Sequence, residues 1–159
     1  MIVISNTSPL TNLAAIGQLD LLRQIHQRVI IAEAVFRELT ADGGIYPGAV
    51  VQSLGWIETQ PVANRLLVTA LRLELDEGEA ETIALAQELA ADLVLMDERR
   101  GRAVAERFGL RVLGVLGVLI DAKQHGLIPA VKPLLDALRH SGFWVAPGLY
   151  SRVLQAAGE

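Results

Sequence analysis

The stretch Ile2-Val3-Ile4-Ser5-Asn6-Thr7-Ser8-Pro9 (residues 2–9) changes character at its midpoint: an apolar run gives way to small polar side chains and a proline. Four residues without polar alternation are too few for a helix and match a strand buried on both faces. The polar tip then opens a helix, with Ser8 expected as its cap, Pro9 at its first position and Gly17 at its end. The opening is therefore a strand-to-helix turn, and a polar surface stands at the carboxyl end of a buried strand.

The same alternation continues outward along the chain. A short helix over 19–25 leads to a strand over 29–31, a helix over 33–39, and a turn-rich loop around Asp42-Gly43-Gly44 and Pro47-Gly48. A strand over 56–59 follows, then helical periodicity over 62–73 and 77–90. The apolar run over 93–96 reads as another buried strand, followed by a helix over 99–108 and a strand over 111–113. Helices near 115–124 and 130–140 complete the pattern. Short apolar strands alternating with helices predict an α/β fold, a mostly parallel central sheet covered by helices on both faces. Residues 1–159 are expected to form a single domain, with 143–159 a loosely attached tail or a partner-binding extension.

Composition agrees with a layered core. Of the 159 residues, 52% are hydrophobic but only 4% aromatic, so Leu, Ile, Val and Ala must fill the interior. The longest apolar run, Val112 to Ile120, is far short of the roughly 20 residues of a membrane span. No basic region precedes an apolar stretch at the N-terminus, so no secretion signal is read there and a cytoplasmic location is expected. The absence of cysteine excludes disulfides and thiolate chemistry. A net charge of −4 argues against a wholly basic nucleic-acid binder. Yet Glu74, Asp76, Glu77, Glu79 and Glu81 crowd one segment, and Arg99, Arg100, Arg102, Arg107 and Arg111 another.

Sites in open parallel sheets form beyond the carboxyl ends of strands, where Asn6 and Asp97 both stand. Each has a plain structural alternative: Asn6 as an Asx turn or helix cap, Asp97 as the cap of the helix that starts near Arg99. Glu38 lies in the last turn of its helix, where the helix dipole disfavours an anion, and on the side shared with Val35; Glu33 can pair with Arg37 instead. Glu79 shares a stripe with Ile83, Ala86 and Ala90, whereas Glu81 shares one with Glu88 and Asp92, which makes Glu79 the inward-facing acid. Asp76 and Glu79 also have capping-box spacing. Asn6, Glu38, Glu79 and Asp97 together offer three carboxylates and an amide oxygen, a donor set suited to Mg²⁺ or Mn²⁺ and to metal-assisted attack on a phosphodiester. The Arg99–Arg111 block can hold a nucleic-acid backbone beside it, or form a solvated face paired to Glu98 and Glu106. Gly114 and Gly117 are read as sites of close helix packing. The histidines, His26, His125 and His140, lack metal-ligand spacing, and no Walker-type or dinucleotide-binding glycine loop occurs.

The segments VISNTSPLTNLAAIGQLDLL (3–22), LDEGEAETIALA (75–86) and LVLMDERRGRAVAERFGLRVLGVLGVLIDAKQHGLI (93–128) carry a resemblance. They resemble a branch of the PIN-domain superfamily, small bacterial and archaeal proteins related to the ribonuclease toxins of toxin–antitoxin pairs. The resemblance implies a PIN-like three-layer fold and a Mg²⁺- or Mn²⁺-dependent endoribonuclease. Its acidic quartet falls on Asn6, Glu38, Glu79 and Asp97, with Asn6 where PIN nucleases usually carry Asp. Thr7, Ser8, Arg99, Arg100 and Arg102 are the expected nucleic-acid-binding residues. RNA, a small antitoxin protein and a second copy of the chain are the implied partners. The alternative is a PIN-fold module with weak or no cleavage that binds RNA or a protein.

Overall fold

A computed structural model describes residues 1–41, 51 and 53–159. The turn-rich loop around Asp42-Gly43-Gly44 and Pro47-Gly48 lies outside the described residues. Five strands, β1 (Val3–Ser5), β2 (Val29–Ala32), β3 (Ile57–Gln60), β4 (Leu93–Leu95) and β5 (Val112–Leu113), form one parallel sheet in the order β3-β2-β1-β4-β5. Registers are Ile4 beside Ile30 and Val94, Ile30 beside Glu58, and Val94 beside Val112. The three central strands are buried along their whole length, because helices cover both faces.

After β1 come α1 (Thr7–Ala15) and α2 (Asp20–His26); after β2, α3 (Glu33–Thr40). Between β3 and β4 run α4 (Arg65–Leu71) and α5 (Glu77–Glu88), and α6 (Arg99–Arg107) joins β4 to β5. The helices α7 (Val115–Gln124), α8 (Lys132–His140) and α9 (Pro147–Ala156) follow. Side chains alternate across the sheet, so Val3, Ile31 and Leu95 join Leu13, Leu119 and Leu138 in one core. Ile4, Ile30 and Val94 meet Ile83, Ala84 and Val104 in the other. Helices on both sides of an all-parallel sheet match the expected α/β layering. No helix among the described residues is long and apolar enough to cross a membrane.

Some local expectations are corrected. The first helix starts earlier than expected, at Thr7, so the cap position falls to Asn6 and not to Ser8. Its end does lie at Gly17, whose positive φ of 70° lets the amides of Gly17 and Gln18 close on Ala14 and Leu13. Glu81 is even more buried than Glu79, at 2% against 7% exposure. A single inward stripe requires one solvated face, but α5 packs on the sheet and touches both α3 and α4. Residues 143–159 are not loose: Val145 and Val153 are buried in the first core, and the Glu159 carboxylate accepts from the amides of Val131 and Lys132 and pairs with Lys123.

Candidate active site

The strand order places β1 at the centre, with the chain turning to β2 on one side and reaching β4 on the other only later. Such a reversal leaves a crevice at the carboxyl ends of the two strands. Asn6 follows β1 directly, and its backbone amide donates to the Leu95 carbonyl at 2.9 Å, which ties the tip of β1 to that of β4. Met96 and Asp97 continue from β4 on the same edge.

Asn6 is 4% exposed and holds the N-cap position of α1, yet its side chain caps nothing. Its Oδ1 is fully buried with no hydrogen-bond partner among the described residues. A buried amide oxygen left unpaired costs about 1–3 kcal/mol, so capping does not account for this residue. The neighbouring Thr7 hydroxyl donates to the Glu38 carboxylate. Glu38 reaches this point from the last turn of α3, and a Cβ at Gly78 would lie 2.5 Å from its Oε1. Glycine at position 78 thus lets the carboxylate rest against the first turn of α5. Burial of the carboxyl tip raises the Glu38 pKa against the Thr7 hydrogen bond, and the charges of Asp76 and Glu77 push the same way.

Glu79 stands one residue beyond Gly78. The capping box forms: the Glu79 amide donates to Asp76 Oδ1 at 2.8 Å, and the Asp76 amide to Glu79 Oε1 at 3.2 Å. That occupies only one carboxylate oxygen. The other, Oε2, faces Gly101, where a Cβ would approach it to 2.6 Å. Desolvation pushes the Glu79 pKa up to about 7, with Asp76 and Glu98 adding repulsion. A capping role and an inward free oxygen coexist in one side chain.

Asp97 does not cap α6, which begins with no side-chain cap at all. Its Oδ1 accepts the Val115 amide at 2.7 Å, at the start of α7, and its Oδ2 accepts the Asn12 side-chain amide at 3.1 Å. Burial raises its pKa, opposed by these two donors and by Arg102. Gly114 does not serve helix packing: a Cβ there would stand 2.6 Å from Arg102 Nη1 and 2.9 Å from Asp97 Oδ1. Gly117 makes room for the Leu113 side chain of β5.

The arginines divide. Arg107 Nη2 donates to both Glu74 carboxylate oxygens, at 3.0 and 3.1 Å, and Arg100 donates to the Glu74 carbonyl at 3.2 Å. Arg102 makes only a 3.4 Å bond to the Met96 carbonyl, and Arg99 is exposed with no partner among the described residues. The pairing expected with Glu98 and Glu106 is replaced by pairing with Glu74. Arg37, expected to pair with Glu33, instead reaches Glu77 at 2.6 Å and Glu81 at 3.8 Å. Ser8, in the first turn of α1, gives its carbonyl to the Thr11 hydroxyl.

The structure thus joins Thr7 to Glu38, sets Glu38 beside the turn that carries Glu79, and ties Asn6 to β4 just before Asp97. Glu98 is the charge felt by both Glu79 and Asp97. Among the described residues, no three Asp, Glu or His side chains stand close enough to form a ready cation cage. The donors are all oxygens, one of them orphaned, which fits a hard cation that keeps several waters and takes few carboxylates. Asn12 is not among the residues expected at the site, although a polar pair, Thr11-Asn12, beyond the first turn of a helix that is otherwise apolar from Pro9 onward is the available signal. Nor are Gly78 and Gly101, glycines in first helical turns where a better helix former is usual.

A family model described as a PIN domain matches residues 2–159. A comparison with curated proteins returns no match.

Proposed function

The chain belongs to the PIN-domain family, and on that premise we propose that it is a metal-dependent ribonuclease whose divalent cation is held among Asn6, Glu38, Glu79 and Asp97, in part through its own waters. The observation that carries this is the orphaned Asn6 Oδ1, buried at the switch point of the sheet; the raised pKa values of Glu38, Glu79 and Asp97 support it. A buried oxygen left unpaired, and carboxylates whose charge is penalised by burial, are what a hard cation compensates. Bound Mg²⁺ or Mn²⁺ supplies a Lewis acid and a water acidified toward neutral pH. Thr7 orients Glu38, and Asn12 with the Val115 amide orients Asp97. Arg99 and Arg102 hold phosphate oxygens next to Asp97, and the Thr7 and Ser8 hydroxyls serve the same backbone from the turn that follows Asn6. The amide at position 6 keeps an oxygen donor but removes a charge, so the cation is held more weakly than by an aspartate there.

A small antitoxin-like protein that fills the cleft, and a homodimer in the cytoplasm, complete the proposed setting. A second role, as a PIN-fold module that binds RNA or protein with weak or no cleavage, is favoured by the missing charge at Asn6 and by the open spacing of the acids. Calorimetry with Mn²⁺ separates the two. The expected result is weak binding to the native chain, tighter binding to Asn6→Asp and none to Asp97→Ala, with RNA cleavage following the same order. Equal heats in all three proteins would overturn the metal site.

A further inference from the structure

A cleft of about 710 Å³ opens directly beside Asp97. Arg99 and Arg102 of α6 line it together with Leu116 of α7 and Leu149 of α9. Trp144, between α8 and α9, stands at its edge and is 80% exposed. Its backbone is not free to wander: Phe143 packs on the first core and bonds back to the Leu138 carbonyl at 3.0 Å, and Val145 is 6% exposed. Two anchored neighbours hold a large aromatic ring out in water, where most of its surface is left uncovered.

We propose that this cleft is a base-stacking subsite for single-stranded RNA, in which an unstacked base lies on Trp144 while Arg99 and Arg102 hold the flanking phosphates. The proposal rests on the ribonuclease function above and adds to it one base-binding residue of this chain, Trp144. Unpaired donors beside an exposed ring argue for this occupant. Arg99 is unpaired among the described residues and Arg102 is bonded only weakly, so both guanidiniums keep donors for phosphate. An aromatic face beside unspent arginines is the pairing that single-stranded nucleic acid uses, because every base has a π-face and every linkage a charge. Glu106, the other acid on the lining, provides an acceptor for a base amino group. Continuity with Asp97 would deliver the neighbouring phosphodiester to the acids, and a rigid duplex, with its bases stacked inside, would not reach the ring.

The test is fluorescence anisotropy with a labelled oligouridine in EDTA, so that binding is read without metal or cleavage. Trp144→Ala is expected to weaken binding roughly tenfold, Trp144→Phe to keep most of the affinity, and duplex RNA to compete poorly. Arg99→Gln should lower the salt slope by about one. Thermal melts of the Trp144 variants should match the native chain, since the ring is exposed. Unchanged affinity in Trp144→Ala overturns the proposal. So does self-association of the chain that is abolished by Trp144→Ala while RNA binding is not, which assigns the face to a second copy. Mn²⁺-dependent cleavage is followed in parallel. Cleavage indifferent to Trp144 removes the subsite and leaves the nuclease, whereas Trp144-dependent binding without cleavage supports the subsite and removes the nuclease.

Discussion

Glu79 puts the two oxygens of one carboxylate to different uses. Its Oε1 closes a capping box, and its Oε2 is aimed at the gap left by Gly101. A capping acid on an open surface stays solvated; here Glu79 is buried and its pKa rises to about 7. Because the native pKa lies above the unfolded value of 4.5, the native state binds more protons between those limits. Stability of the metal-free protein therefore falls as pH rises from 4.5 to 7. The full shift corresponds to about 3 kcal/mol, and partial access of water at the rim reduces it. Thermal melts across this range should show the decline in the native chain and a flatter profile in Glu79→Gln, and added Mn²⁺ should restore stability at the upper end.

Helix α5 packs between α3 and α4 as well as on the sheet, so its acids are covered from more than one side. Glu81 illustrates the consequence: its Oε1 accepts the Ala34 amide at 3.1 Å, supplying a cap to α3, and its Oε2 meets Arg65 at 3.2 Å. An acid from one helix thus satisfies the first turn of another, whose own cap residue, Ala32, has no side-chain acceptor. Glu81→Ala should cost about 1–2 kcal/mol in urea denaturation while leaving the Mn²⁺ heat intact, because its carboxylate is spent away from the cleft. Gly78→Ala should do the reverse. Ala raises helix propensity by about 1 kcal/mol, and the atom it strikes is the movable end of Glu38. The expected result is an unchanged or slightly raised melting temperature with weakened Mn²⁺ binding.

At the level of the whole molecule, the two cores on opposite faces of a five-stranded sheet include the last helix as well as the first. The buried Val153 and the Glu159 contacts attach α9 to α7 and to the start of α8. Trp56 and Trp144 report on different parts of this arrangement, beside β3 and beside α9. In the Trp56→Phe variant, Trp144 fluorescence and far-ultraviolet dichroism should report the same urea midpoint, since one cooperative unit gives coincident transitions with any probe. A Trp144 transition that precedes the dichroism in that variant would show that residues 143–159 come away first. The sequence pattern alone leaves this segment a tail or a partner-binding extension, because an apolar stripe such as Val145, Leu149 and Val153 does not say what it packs against.

Strand and helix identity were legible locally because they follow from side-chain periodicity within a few residues. Ile2–Pro9 already contains the strand, the turn and the helix start, and a short apolar run such as Leu93-Val94-Leu95, closed by the polar Asp97, has the length of a buried strand and not of a helix. The candidate acids were legible as residue types at strand and helix ends. Their circumstances were not: the orphaned Asn6 oxygen, the Thr7 bond to Glu38, the Asn12 and Val115 bonds to Asp97, and the burial of Glu81 all join residues far apart in the chain. Desolvation and hydrogen bonding depend on what packs against a group from every side, and periodicity reports on only one element at a time. The order in which strands lie side by side, set by packing of whole layers, decides which of these residues become neighbours.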